Sequence, residues 1–343
     1  MSNGPSAGDA PTPATAVGQG AVTGPGPLIA IGGAEDKLGR RTVLKTFVSL
    51  AGGSNAKIAV VPTASTLGPE VVEVYEALFR KLGARDVVAA RPESREEAED
   101  PDVVGLLDDV TGIFMTGGNQ LKLSGIVTGT AFARAIVAAH ERGAVVGGTS
   151  AGASIQSSHM VAFGTGGTTP KQRMTQLAAG LGLARDVVID QHFAQRNRYG
   201  RLLMLVSQNP GLLGIGVDED TGAVITDEDG VQLLGVVGRG VVTIVDGHNV
   251  VSNAHEARRT APLLASGVVL HVLPAGAVFN LTDRVLVRQE PVVDASDAEE
   301  LAVAGRDLRR LAQGIATGDV PPSASKRRRA RRASNESNEG DHP

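Results

Sequence analysis

The chain has 343 residues, no cysteine and a formal charge of −4. It is long enough to bury a sizeable core as one large domain or two small ones. The absence of cysteine excludes disulfides, thiolate catalysis and zinc–cysteine sites, and fits a reducing compartment. A mildly acidic balance gives no general attraction to nucleic acid or membrane. No run of eighteen apolar residues reads as a transmembrane helix, and the expectation is a soluble cytoplasmic protein.

Residues 1–26 are rich in Gly, Pro, Ala, Ser and Thr, without the basic and apolar regions of a signal peptide, and read as a disordered arm. A hydrolytic α/β domain is expected over 27–290. Leu28–Ile31 reads as a buried strand ending at Gly32-Gly33, and Ile58–Val61 as a second, stopped by Pro62. A helix follows, with Pro69 near its first turn and Val72, Tyr75, Leu78, Phe79 and Leu82 at helical spacing. Val87-Val88 and Ile113–Met115 are further strands, 131–142 is helical, and Val145-Val146 leads into a glycine-rich turn. These apolar runs are continuous rather than alternating, as parallel strands covered on both faces require. Strand–helix alternation then predicts a three-layer α/β sandwich with a mostly parallel central sheet. Beyond Asp190 a helix is expected over 197–208, then short strands at 213–217, 223–226, 231–237, 241–245, 268–273 and 285–287. Turns at Asp229-Gly230 and Asp246-Gly247 suggest hairpins closing the sheet edge.

Near the C-terminus, Ser296 and Glu299 form a capping box ahead of Leu301, Ala304, Leu308, Leu311 and Ile315, which predicts an appended helix over 291–320. Residues 321–343 read as a disordered charged tail. Its basic run from Lys326 to Arg332 offers a polyanion contact, but nucleic acid is not the expected partner of an acidic chain.

The strongest local chemical signal is Gly148-Thr149-Ser150-Ala151-Gly152. A G-x-S-x-G between strand and helix forces its serine into an exposed, strained position. A helix beginning there, expected to carry the chain past His159, aims N–H groups at Ser150, with the Ala151 N–H as a natural oxyanion donor. Serine needs a base. Among seven histidines, His192 is favoured because it follows the strand Val187–Asp190, and open α/β sheets place ligand sites at strand ends. His159 is set aside as two turns along the same helix, His140 as ending the preceding helix, and His271 as lying within an apolar strand. The third member is left between Asp218 and Glu219, which follow another strand. The polar cluster from Asp190 to Arg201 contains Arg196, Arg198 and Arg201, side chains suited to clamping a carboxylate. Thr116-Gly117-Gly118-Asn119-Gln120 ends a further strand, so a Gly117 or Gly118 N–H is a second oxyanion donor and Gln120 a substrate contact. Neither this loop nor Gly32-Gly33-Ala34-Glu35-Asp36 has phosphate-loop or dinucleotide spacing, and no cofactor or metal is implied.

Taken together, Gly32–Asp36, Phe114–Leu121, Gly148–Ala153, Asp190–Phe193, Arg196–Leu202 and Gly216–Glu219 resemble the cyanophycinases, a family of serine exopeptidases related to peptidase E. The resemblance implies a fold like that of class I glutamine amidotransferases and a homodimer. It also implies a triad of Ser150, His192 and Glu219, with Gln120, Asp190, Arg196 and Arg201 lining the substrate site. The implied substrate is cyanophycin, a polyaspartate with an arginine on each β-carboxyl, cut to β-Asp-Arg. A serine dipeptidase for Asp-X or isoaspartyl peptides and a non-catalytic cyanophycin-binding protein are the alternatives. Asn119 stands where the family often has aspartate.

Overall fold

In a computed structural model the described residues are 24–289. The expected appended helix and charged tail, and nearly all of the N-terminal arm, lie outside them.

Five parallel strands form the heart of the molecule: β1 (Leu28–Ile31), β2 (Lys57–Val61), β3 (Asp86–Ala89), β4 (Gly112–Met115) and β5 (Val145–Thr149). Their order is β1-β5-β4-β2-β3, and an antiparallel run of β10 (Thr221–Glu228), β11 (Val231–Gly238), β16 (Ala277–Asn280) and β17 (Val285–Gln289) extends the sheet beyond β1. Nine strands result. The expected hairpin at Asp229-Gly230 is present, joining β10 to β11, whereas the Asp246-Gly247 turn leads to Val251–Ser252, which pairs with Ala265–Ser266, and makes no hairpin on this sheet.

Both faces of the parallel strands are covered, which explains why their sequences do not alternate in polarity. On one face Ile29, Ile31, Ile58, Val60 and Phe114 meet α1 (Thr42–Leu50) and α2 (Glu70–Lys81). Phe47, Tyr75, Phe79 and Phe114 stack there at centroid distances of 5.0–5.8 Å. Such a cluster concentrates much of the scarce aromatic content in one layer, and truncating Phe114 to alanine would cost about 3–5 kcal/mol. On the other face Ala30, Ala59, Val61, Ile113 and Met115 pack with α4 (Gln120–Val127) and α5 (Ala131–Glu141). Side chains alternate between two buried layers, giving the three-layer architecture.

Four later strands do not join this sheet. β8 (Val187–Gln191), β9 (Leu213–Val217), β12 (Val241–Asp246) and β15 (Val269–Pro274) form a second sheet in the order β15-β12-β9-β8. It packs its own core of Val188, Phe193, Leu202, Leu205, Val206 and Val245 against α7 (Tyr199–Gln208). Continuous apolar runs identify buried strands but carry no information about which sheet receives them. No single described helix is long and apolar enough to cross a membrane.

Two helix expectations change. α6 spans only Ala151–Ser154, and His159 opens a new strand, β6 (His159–Gly164), paired with β7 (Thr175–Ala179). The helix stops because the Ser154 hydroxyl turns inward: it donates to Ile189 O at 3.0 Å and accepts from the Val161 N–H at 3.2 Å. The helix after Asp190 begins at Tyr199, not Asn197, since Asn197 sits at φ 49°, outside helical geometry.

Candidate active site

The parallel register brings strand ends together. Ile31 pairs with Thr149 and Met115 with Gly148, so the segments after β1, β4 and β5 emerge side by side. In the second sheet Gln191 pairs with Val217, which places His192 beside Asp218 and Glu219.

Ser150 has φ 54° and ψ −107°, a conformation costing about 1–3 kcal/mol for a residue with a Cβ. The flanking glycines make the turn sterically possible. A Cβ on Gly148 would lie 2.2 Å from Gly152 O, and one on Gly152 would lie 2.1 Å from Met115 O. The strain is held by hydrogen bonds on both sides: the Ser150 N–H donates to Ile31 O at 3.0 Å, and the Ala153 and Ser154 N–H groups donate to Ser150 O at 3.1 Å.

The loop after β1 bridges the two sheets. Gly32 donates to Thr221 O and accepts from the His192 N–H at 2.7 Å, while Gly33 O accepts from the Asp220 N–H at 2.9 Å. Gly33, at φ 103°, lies against the imidazole: a Cβ there would come within 2.2 Å of His192 Cε1. Alanine at this position would displace the ring. The sequence shows the glycine pair plainly, but nothing local identifies its partner as a histidine 159 positions later in the chain.

That loop sets His192 between two oxygens. Its Nε2 is 3.0 Å from Ser150 Oγ, and its Nδ1 is 2.6 Å from Glu219 Oε1. With Nδ1 donating to the carboxylate, Nε2 is left as an acceptor for the serine proton. Burial lowers the His192 pKa from its ordinary value. The hydrogen bond donated to Glu219 opposes this, while Arg196 adds to the lowering, and Glu219's charge opposes it again. The ring is therefore neutral near pH 7, as an acceptor must be.

The adjacent acid has a different task. Asp218 accepts from the Ala194 N–H at 3.0 Å and from the Val241 N–H at 3.3 Å, fixing the strand-end loops, while Glu219 alone meets the imidazole. The structure thus separates two neighbours that residue chemistry left equivalent.

Around Ser150, the Gly117 position closes within 3.3 Å of Ser150 Cβ for an ideal side-chain carbon. The N–H groups of Gly117, Gly118 and Ala151 take no part in the backbone hydrogen bonds of turns, loops and caps among the described residues. Gln120 opens α4 and donates through Nε2 to Val161 O at 2.5 Å. Asn119 caps that helix by accepting from the Lys122 N–H at 3.0 Å.

The polar cluster divides. Arg196 is exposed. Asp190 and Arg201, which the resemblance puts along the substrate site, are both buried. Asp190 is fully buried and Arg201 is 2 % exposed. Arg201 grips both carboxylate oxygens, with Nε 2.6 Å from Oδ2 and Nη2 on Oδ1, and Arg198 adds a bond of 3.2 Å. Arg201 also reaches Gly164 O and Arg198 reaches Gln191 O. A buried carboxylate needs such partners, and these three side chains satisfy one another. Burial takes the Arg198 pKa down to about 10, with Asp190 opposing.

The remaining described histidines fall elsewhere. His140 is buried with Nδ1 unpartnered, and His271 stacks on Phe279 at 4.7 Å. Among the described residues no group of three or more His, Asp or Glu side chains converges as a metal site.

A model of peptidase family S51 matches residues 28–234. The chain is 39% identical over 255 residues to the cyanophycinase of Geminocystis herdmanii, covering 74% of this chain and 93% of that one. It is 40% identical over 263 residues to the cyanophycinase of a Nostoc species, covering 76% and 87%. Among solved structures, a peptidase from an acI-B1 actinobacterium superposes with a TM-score of 0.52 at 24% identity, over 73% of this chain and 98% of that one. That likeness carries the fold alone.

Proposed function

The chain belongs to peptidase family S51 and is a serine peptidase, and on that premise we propose that it is an exopeptidase cutting cyanophycin to β-Asp-Arg with Ser150, His192 and Glu219 as its triad. The observation that carries the reading is the hydrogen-bonded chain from Ser150 Oγ through His192 to Glu219, at 3.0 and 2.6 Å.

Ser150 Oγ attacks a backbone carbonyl of the polyaspartate while His192 Nε2 takes its proton. The new C–O bond forms as the carbonyl π pair moves onto oxygen. That oxyanion is received by the Ala151 N–H and a Gly117 or Gly118 N–H, close to the positive end of the turn that begins α6. Collapse breaks the C–N bond, and His192 returns the proton to the leaving amine. Water then repeats the sequence against the acyl-enzyme, releasing β-Asp-Arg and restoring Ser150. Glu219 keeps the imidazole in the tautomer that presents Nε2 to Ser150 and stabilises its charged form in between. The strained elbow exposes Ser150 Oγ, and the Gly33 contact holds the ring within reach of it. Gln120 and Arg196 take the polar groups of the substrate, while Asp190 and Arg201 act beneath the site by fixing the segment that carries His192.

The hydrolytic domain in this reading spans 27–290. It works in the cytoplasm as a homodimer, as the family resemblance implies. Sedimentation and cell fractionation test those two points.

The direct test is incubation with purified cyanophycin and mass-spectrometric analysis of products. β-Asp-Arg is the expected product, and intact polymer would refute the reading. Ser150→Ala should lower the rate by at least about 10⁴-fold with the fold intact by circular dichroism.

A further inference from the structure

One titratable cluster beside Ser150 takes no part in the steps above. Glu35 is 4 % exposed, yet both of its oxygens are engaged. Oε1 accepts from Lys37 Nζ at 2.7 Å and from the Tyr75 hydroxyl, and Oε2 accepts from Thr149 Oγ1 at 2.6 Å. Burial alone would raise this carboxyl's pKa. Lys37, by charge and hydrogen bond, together with Thr149 and Tyr75, instead holds it below the ordinary value. Its role in the fold is to anchor two things at once: the residue immediately before Ser150, and an ammonium.

That ammonium is unevenly placed. The Glu35 side chain is 2% exposed and the Lys37 side chain 34%, so the anion of the pair is sealed and the cation faces outward. Lys37 Nζ also lies 5.2 Å from the centre of the Tyr75 ring, whose face favours a cation. An ammonium has three N–H donors, and one is spent on Glu35. Both Lys37 and Ser150 line a cleft of about 380 Å³ between the loop after β1 and the start of α2. Glu70, an exposed carboxylate in the first turn of α2, lines the same cleft.

We propose that Lys37 is a specificity-determining residue that binds a carboxylate of the substrate in this cleft, namely that of the arginine end of a β-Asp-Arg unit. The inference rests on the cyanophycin reading for the identity of the ligand. Glu35 is the positioning residue: through Thr149 it ties the ammonium to the strand that delivers Ser150, so the bound carboxylate is registered against the reacting hydroxyl. Glu70 selects the arginine end over a bare aspartate, because arginine brings a guanidinium together with its carboxylate, and the cleft offers the Glu70 carboxylate beside the Lys37 ammonium, with Glu35 already bonded to Lys37, Tyr75 and Thr149.

Calorimetry with β-Asp-Arg and with its arginine-amide form, in which that carboxylate is neutral, tests the assignment. The wild-type protein is expected to bind the free acid about tenfold more tightly than the amide, as a partly exposed charge-assisted bond allows. Lys37→Met should erase the preference, and Lys37→Arg should keep most of it. Equal binding of the two forms by the wild type, no binding of either, or a full preference retained in Lys37→Met overturns the proposal. Polymer hydrolysis is read separately. A protein that leaves cyanophycin intact but shows the Lys37-dependent preference refutes the exopeptidase reading while the subsite stands.

Discussion

Two carboxylates stand at the ends of neighbouring strands, and their surroundings assign them opposite work. Glu219, after β9, has a side chain 35% exposed and meets one imidazole. Asp190, near the end of β8, is sealed from solvent and held by two guanidiniums. Each is an acid paired with a nitrogen group, Glu219 with the His192 imidazole and Asp190 with the guanidiniums of Arg198 and Arg201. The difference is mobility of charge. A neutral imidazole beside a part-exposed carboxylate gains a proton reversibly, whereas a guanidinium locked on a buried carboxylate does not give one up. The first arrangement is suited to chemistry, the second to holding His192's backbone in place. Titratable groups on neighbouring strand ends are therefore sorted by burial and by partner, not by residue type.

The comparison is sharpened most by Glu219→Gln. On cyanophycin it should lower kcat/KM by about 10⁴-fold, because the amide no longer holds the productive imidazole tautomer. Its unfolding free energy in a urea titration should change by less than about 1 kcal/mol, as expected for a part-exposed pair. Asp190→Asn should show the reverse emphasis. Removing the charge strands two buried guanidiniums, and urea unfolding should reveal a loss of about 3–5 kcal/mol. A stable Asp190→Asn protein would break the distinction between the two carboxylates.

The smallest expected effect concerns pH. His192 must be neutral to accept the Ser150 proton, so kcat/KM should fall on the acid side with an apparent pKa below the ordinary histidine value of 6.5. Arg196 disfavours the protonated ring, so Arg196→Gln should move that acid limb to higher pH. Because Arg196 is exposed, added salt should move the wild-type limb in the same direction. An acid limb that stays put in the variant would show that Arg196 does not reach the imidazole.

Much of this is legible in the sequence. The strands Leu28–Ile31, Ile58–Val61 and Ile113–Met115 stood out as unbroken apolar runs, and the helix carrying Tyr75, Leu78 and Phe79 by its periodicity. Ser150 was marked by flanking glycines, whose need the turn itself explains. His192 was favoured by its position after a strand. Less was visible where long-range contacts decide. α1 has an apolar face at helical spacing but no capping side chain to mark its start, and α6 is one turn long because Ser154 bonds across to the second sheet. The segment Gly32–Asp36 shows in sequence only its lack of dinucleotide spacing and its share in the family resemblance, while its contact to His192 and the pairing of Glu35 with Lys37 are set by the fold.

Local chemistry was enough to establish an α/β layering, a strained serine turn and the short list of groups able to serve it, since periodicity, glycine sterics and nucleophile chemistry all act within a few residues. Tertiary structure alone decided that β8 and β9 belong to a second sheet, that Glu219 and not Asp218 faces the imidazole, and that Asp190 and Arg201 are buried together. Those outcomes depend on strand partnership and on exclusion of water. Both are set by contacts beyond the local turn, as when Glu219 meets the imidazole of His192 across 27 positions and Gly32 receives the hydrogen bond from His192 that brings the ring to Ser150.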